Sequence, residues 1–547
     1  MASPASTATT LTVAAAQFAT GTDVSQNLAT TLRMIGEAAD RGADLVVLPE
    51  FCNHLSIYDS AEHAWEVAID LEGDWVSAVS ALAQQRNIWV QLNITVRRIP
   101  ATEAEPRPRI TNTNLVFDSS GTLRAANDKT VLMGAENDYL SVADEPSALI
   151  EAPFGIIGTY ACMDGVVPEV PRTVAARGAR LLLNSLNSFA LDEAALHIPV
   201  RAAENRAWVV ACCKVGPLLP QDKIDLFSSM MGVPGEMLCG AGESQIIAPD
   251  GTVVAMAPRT GEAIITAEID LALGSALRPD GTDVWASRRP ELYGPLFAET
   301  PPLHDHPRAA ELSVATAFTA AQLEQQIANK TALILLPELG FDEVLDPEAV
   351  TELLADSQCC VISSCASDGA HLGLAVTQAG VVHRQAQLHR VARHPWVTAL
   401  GDSLTTVDFD WGRLGIIVGE DFLYPEVARL AALQSVDVIA LPMTDLEAWD
   451  LPVGVVERSA ENRMIAIAAS TTGVSLVANL PPDFTLWAPS RERVFDGTIN
   501  RPDCEWATAS ASLGATVHPA RTVNRQISKN TDLVHNRPWQ LCEALLS

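Results

Sequence analysis

One pattern is written twice in this chain, and no other feature of the sequence limits its fold as tightly. Residues 11–18 (LTVAAAQF) are echoed by 312–318 (LSVATAF), and 45–50 (LVVLPE) by 333–338 (LILLPE). Residues 167–172 (VPEVPR) return as 424–429 (YPEVAR), and 201–206 (RAAENR) as 458–463 (RSAENR). Arg289-Pro290 is matched by Arg537-Pro538, each near the end of its half. Positions 167 and 424, and positions 204 and 461, share one offset of 257 residues. A common offset over such a span marks a duplicated unit. The length, 547 residues, suits two domains of about 250 residues each. The Pro-rich stretch 301–307 reads as the linker between the copies.

Within each copy the patterns are α/β. Leu28, Leu32, Ile35 and Ala39 fall at helical spacing, with Ser25 as N-cap and Gly42 as stop. Short apolar runs at 45–48, 155–161, 181–184 and 208–213 read as strands. Pro168 stands where a helix tolerates proline, at its start, and 198–206 reads as a helix end. Residues 119–122 (SSGT) and 249–252 (PDGT) each join two β-like runs as hairpin turns. Two stacked sheets flanked by helices would bury all these faces.

Composition narrows the function classes. Hydrophobic residues make up 48% and charged residues 19%, as in a globular enzyme with a large core. The net charge of -31 repels phosphate backbones and anionic lipid, which speaks against nucleic-acid and membrane partners. No apolar run is long enough to span a bilayer. Residues 1–10 lack the basic start of a signal peptide and read as a disordered tail. The ten cysteines contain no CxxC, so neither a disulfide framework nor a zinc site is suggested, and a reducing cytoplasm is expected. His304-Asp305-His306 has no further ligand nearby and reads as solvated linker, so no metal and no cofactor is expected.

Three residues of the first copy carry the chemistry. Glu50 and Cys162 each close an apolar strand, at the end where α/β folds bind ligands. A helix beginning after Cys162 would favour thiolate. Lys129 follows a hairpin. Singly, each has an ordinary structural explanation: a small core residue, a loop charge, a solvated lysine. In the order Glu, Lys, Cys, with spacings of 79 and 33 residues, they resemble the nitrilase superfamily of carbon–nitrogen hydrolases. The resemblance covers nearly all of 11–296: 48–51 (LPEF), 158–170 (GTYACMDGVVPEV), 201–206, 242–251 (GESQIIAPDG) and 289–293 (RPELY).

That resemblance implies two tandem four-layer αββα sandwiches, packed on each other as a pseudo-dimer within one chain. It implies a catalytic domain over 11–296, a linker over 297–310 and a degenerate domain over 311–547. Cys162 would attack the carbonyl carbon, Glu50 would relay the proton, and Lys129 with the Met163 N–H would hold the oxyanion. Glu136, in the string 134–137 (GAEN), stands where superfamily members carry an auxiliary glutamate, and an exposed loop charge is the alternative. The run Cys162-Met163-Asp164 resembles the amidase and carbamoylase branch, whereas Asp164 as a simple helix cap is the competing reading. The implied substrate is a small amide, ureide or nitrile. The alternatives are a nitrile hydrolase, an ammonia-donating glutaminase subunit and a non-catalytic interaction protein.

In the second copy the offset puts Gly419 opposite Cys162; Leu388 or His389 lies roughly opposite Lys129, with no lysine nearby in the sequence, leaving Glu338 alone. This half is expected to be catalytically silent, supplying a partner surface; further homo-oligomerisation is left open. Pocket walls are expected from 54–58, 187–193 and 230–239, and the insertion 97–110 is expected to shape the entrance.

Overall fold

The computed structural model describes residues 10–273, 277–482, 484–487 and 493–547. The tail expected over 1–10 lies outside the described residues except for Thr10, which opens the first strand.

Each half is a pair of six-stranded sheets. In the first half, β1 (Thr10–Gln17), β2 (Leu45–Val47), β3 (Trp89–Ile99), β4 (Arg109–Phe117) and β5 (Leu123–Asp128) lie in chain order. The second sheet uses β6 (Ile150–Ala152), β7 (Gly155–Ala161), β8 (Leu181–Leu186), β9 (Trp208–Cys213), β10 (Gln245–Ile247) and β11 (Val253–Met256). Its order is β11-β10-β9-β8-β7-β6, and β12 (Ala263–Asp270) crosses back to pair antiparallel with β1 at the edge of the first sheet. Strands β1, β2 and β3 run parallel, as do β7, β8 and β9, so the residues after β2 and β7 emerge at the carboxyl ends of buried strands.

The second half repeats this order strand for strand. Its sheets pair 380–386, 370–377, 360–367, 333–335, 312–316 and 514–517 in one, and 406–409, 412–416, 438–443, 465–470, 475–479 and 503–507 in the other. The duplicated sequence is thus a duplicated four-layer αββα architecture.

Local readings hold with shifts. The first helix spans Val24–Asp40, and its N-cap is Asp23, not Ser25: the Asp23 carboxylate accepts from the Ser25 and Gln26 N–H groups. Its buried face is Met34, Ile35 and Ala38, with Leu28, Leu32 and Ala39 half-buried at the margin. Both anticipated hairpins form, at β4–β5 and β10–β11. The linker is largely exposed, but it is not all solvated: His306 is tucked against Asp437 and its side chain is 3% exposed.

One apolar cluster runs through both halves, joining Val170, Val174 and Leu196 to Val427, Leu430 and Val455. The contact is made by helices Glu169–Ala176 and Ile198–Asn205 against Pro425–Leu433 and Val456–Asn462. Four arginines buried in it cross the junction in symmetric pairs. Arg172 reaches Glu426 and Arg429 reaches Glu169, both at 2.9 Å. Arg201 reaches Glu461 at 2.6 Å and Arg458 reaches Glu204 at 2.5 Å. Each member and its counterpart lie 257 positions apart, so the junction obeys a pseudo-twofold rule. Burying so many ions is tolerable because each meets an opposite charge; removing one partner would strand the other.

Candidate active site

Glu50, Lys129, Glu136 and Cys162 converge on one buried site. Glu50 follows β2, and its N–H donates to Leu186 O across the sandwich at 3.3 Å. Its Oε1 accepts from Lys129 Nζ at 2.8 Å and from Asn112 Nδ2 at 2.9 Å, while Oε2 is buried without a partner. Lys129 Nζ also reaches the two Glu136 oxygens at 3.1 and 2.9 Å. Burial pulls the Lys129 pKa down, but Glu136 and Glu50 more than offset this, so the ammonium is held well above its ordinary range. Burial drives the Glu136 carboxyl up against the pull of Lys129. Glu136 is therefore not an exposed loop charge.

Cys162 sits on the turn after β7 with φ at 47° and ψ at -107°, a sparsely populated conformation for a non-glycine residue. Its N–H donates to Ser185 O at 2.9 Å and to Asn184 Oδ1 at 3.1 Å, which fixes the turn against β8. Met163 opens the four-residue helix that follows, so its N–H has no intrahelical acceptor. The thiol does not rest as the thiolate the sequence suggested. Burial pushes it well above its usual range, Glu50 adds to this, and Lys129 counteracts only part of the rise. A four-residue helix brings too little dipole to reverse desolvation.

Asp164 is not a helix cap. Its Oδ1 accepts from the Thr130 and Val131 N–H groups at 3.1 and 2.8 Å, and its Oδ2 from Ala161 N–H at 3.2 Å. It thus ties the chain after Lys129 to the nucleophile turn. Asn112, Asn184 and Asp164 are supporting groups whose roles the sequence did not reveal, because each acts through contacts remote in sequence.

A cavity of about 150 Å³ opens at Cys162 and Met163. Parts of all three anticipated segments line it: Ser56 and Ile57, Asn187 to Ala190 with Glu193, and Met231 and Leu238. Leu218, Leu219 and Phe227 were not foreseen. The insertion 97–110 does not reach the cavity. Instead Arg107 donates to Asn137 O and Leu140 O and so braces the turn that bears Glu136.

The least foreseeable wall comes from the second half: Leu486, Trp487, Ile499, Asn500, Ile527 and Ser528. Thr531 Oγ1 accepts from Gly134 N–H at 2.9 Å and donates to Leu132 O at 2.9 Å. A Cβ on Gly134 would stand 2.6 Å from Ser528 Oγ, and φ there is +52°, so both the close approach and the turn require glycine. Arg201, gripped by Glu457 and Glu461, donates to Gly165 O at 2.7 Å and so holds the nucleophile turn from behind.

The corresponding place in the second half is filled. Gly419 has φ +58° where Cys162 has +47°. The Gln387 N–H donates to His371 O at 2.9 Å, as Lys129 N–H does to Asn112 O at 2.8 Å. This makes Gln387 the residue opposite Lys129, not Leu388 or His389; the two copies drift by one residue between the hairpin and the nucleophile turn. Arg393 lies across Glu338, at 2.5 Å from its Oε1, and also pairs with Glu420. Glu338, His371 and His394 form a group with metal-ligand spacing, their ligand atoms within 4.8 Å of one another. Protein groups already engage it: His371 bonds Gln387 and Ser364, each at 2.8 Å, and the guanidinium occupies Glu338. Among the described residues no helix is long and apolar enough to cross a membrane.

Comparison with known proteins addresses the first half of the chain. Residues 12–279 match the carbon-nitrogen hydrolase family. The nitrilase and fragile histidine triad fusion protein NitFhit of Caenorhabditis elegans is 26% identical over 294 residues, 51% of this chain and 61% of that protein, so this chain covers less than two thirds of it. Deaminated glutathione amidase of Homo sapiens is 29% identical over 298 residues, 52% of this chain and 84% of that one. Omega-amidase, chloroplastic, of Arabidopsis thaliana is 28% identical over 303 residues, 53% of this chain and 75% of that one. The solved amidase from Nesterenkonia sp. aligns at 20% identity and a TM-score of 0.40 over 51% of this chain and 94% of its own. Residues 12–279, just under half of the chain, thus form a carbon-nitrogen hydrolase domain of the nitrilase superfamily.

Proposed function

We propose that the first half hydrolyses a small amide, or an N-carbamoyl compound, through a thioester on Cys162. The observation that carries this reading is the division of labour at Glu50. One oxygen is committed to Lys129 and Asn112, and the other is buried and unpartnered. The free oxygen takes the Cys162 thiol proton as sulfur attacks the carbonyl carbon. The S–C bond forms, and the carbonyl oxygen becomes an oxyanion facing the Lys129 ammonium and the Met163 N–H. Glu50 passes the proton to the leaving nitrogen as the C–N bond breaks. Glu50 then takes a proton from water, the resulting hydroxide attacks the thioester, the C–S bond breaks, and Glu50 returns the proton to the Cys162 sulfur as the acid leaves.

A thiol that rests protonated suits this scheme, because sulfur becomes a strong nucleophile only when Glu50 draws its proton away in the presence of substrate. Glu136 keeps Lys129 charged and in place. The amide reading is supported by relatives named as amidases and by Asp164 two residues after the nucleophile. The second half is proposed to be silent, since it has Gly419 and Gln387 where the first has Cys162 and Lys129.

Ammonia release tests the proposal across small amides, N-carbamoyl compounds and nitriles, with Cys162→Ala as control. Amide or carbamoyl turnover that vanishes in the control is the expected result. Turnover of nitriles alone would overturn the substrate class, and activity surviving in Cys162→Ala would overturn the thiol mechanism.

A further inference from the structure

Most of the cavity is apolar, which makes its few unsatisfied polar atoms conspicuous. Glu193 Oε2 and Asn500 Nδ2 belong to residues that line the cavity, and both atoms are buried with no hydrogen-bond partner. Glu193 is 6% exposed and Asn500 is 1% exposed. They come from opposite halves of the chain. Desolvated polar groups left unpaired are costly, and a binding site is where that cost is recovered when the ligand arrives.

The orientation of Asn500 is set by a neighbour. His197 directs Nδ1 at the Glu457 carboxylate, 2.9 Å away, and Nε2 at Asn500 Oδ1, also 2.9 Å away. Burial lowers the imidazole pKa, but Glu457 outweighs this and holds it at about 9, so both nitrogens carry protons. Nε2 therefore donates, Asn500 presents its oxygen to His197, and its NH2 group is left for a ligand. Glu193 stands four residues before His197, on the same helical turn, and the two interact electrostatically. Glu193 also bears on the Cys162 thiol, so this polar pair shares the nucleophile's cavity.

We infer that Glu193 and Asn500 together recognise an uncharged group that both donates and accepts hydrogen bonds, a hydroxyl or carboxamide, at the far end of an amide substrate's acyl chain. This deepens the hydrolase reading and rests on it. The substrate group donates to Glu193 Oε2 and accepts from Asn500 Nδ2, while Ile57, Leu218, Leu238 and Ile499 enclose the apolar chain. A terminal carboxylate is disfavoured. It would set its charge against the Glu193 carboxyl, and His197, which also lines the cavity, is already matched by Glu457. A terminal ammonium would leave Asn500 Nδ2 facing another donor.

The test uses the full chain and four probes: hexanamide, its terminal alcohol, adipamide and adipamic acid. Binding to the Cys162→Ala protein is measured by calorimetry, and kcat/KM is measured on the unmodified enzyme. Adipamide or the alcohol is expected to exceed hexanamide by about tenfold in both, with adipamic acid weakest. Glu193→Met and Asn500→Leu should each bring the ratio of adipamide to hexanamide close to one. Equal binding of all four probes, or a preference for adipamic acid, overturns the inference even if Cys162-dependent turnover is seen. The expected binding order with no turnover of any amide leaves this recognition site standing and overturns the hydrolase reading instead. Because the binding measurement leaves Glu193 and Asn500 intact, poor folding of either variant would not decide the result.

Discussion

The two halves share strand order, junction helices and even the positive φ at the nucleophile turn, yet one holds a cavity and the other a plug. In the first, Lys129 bridges Glu50 and Glu136 from behind and leaves the space before Cys162 open. In the second, Arg393 reaches across the equivalent glutamate, and Gly419 offers no side chain. A Cβ at 419 would come 2.9 Å from Glu338 Oε1, so that place has no room for a side chain. One architecture thus carries different groups at the equivalent place, because sheet and junction packing depend on residues other than those at the site. What the second half retains is the junction, together with a wall of the first half's cavity.

The sharpest break in the comparison is chemical. Cys162→Ala should lower amide turnover by roughly 10⁴-fold or more, measured as ammonia release, while leaving the melting temperature nearly unchanged. The reciprocal change, Gly419→Cys, should create no activity in that background, since no lysine faces it.

Next comes the junction. Glu457→Ala leaves Arg201 and His197 without a carboxylate they both use. A destabilisation of about 3–5 kcal/mol is expected in denaturant titration. Turnover should fall as well, because Arg201 holds Gly165 O. A loss of stability with unchanged kcat/KM would sever the proposed link between the second half and the Cys162 turn.

A smaller, graded effect should follow pH. The His197 pKa is raised from its ordinary 6.5 to about 9 in the folded chain. A raised cation stabilises the folded state fully below pH 6.5 and loses that contribution as pH climbs through 9. The melting temperature should therefore decline over this window, and His197→Gln should flatten the decline. A profile identical in the two proteins would remove His197 from the account.

The smallest expected effect on catalysis is Glu338→Gln. It disturbs the Arg393 pair and should lower stability by about 1–3 kcal/mol, with amide turnover changed less than about twofold. A large loss of turnover would show that the second site is not silent.

Much of this was legible in the chain itself. The duplication, the order of Glu50, Lys129 and Cys162, and the missing partners of Glu338 all lie in short local strings, and strand-end positions follow from apolar runs bounded by turns. The state of Cys162 was not legible: a strand end followed by a helix suggested thiolate, and only burial with Glu50 at hand reversed this. The contacts of Asp164 were not legible for a related reason, since the cap that competed as its reading is a local preference, whereas its acceptor role spans 34 residues. Gln387 was missed because the match was only approximate in this stretch, where the offset shifts by one residue, and the expected Leu388 or His389 overshot it.

What the amino-acid order determined by itself was therefore the repeated architecture and the set of residues proposed to react, since periodicity and nearest-neighbour chemistry are properties of the chain. The tertiary structure alone decided which oxygen of Glu50 is free, which protonation state Cys162 adopts, and that Asn500 and Ser528 wall a cavity more than 300 positions away from Cys162 in the numbering. These depend on desolvation and on contacts between distant segments, and neither exists until the two halves have packed.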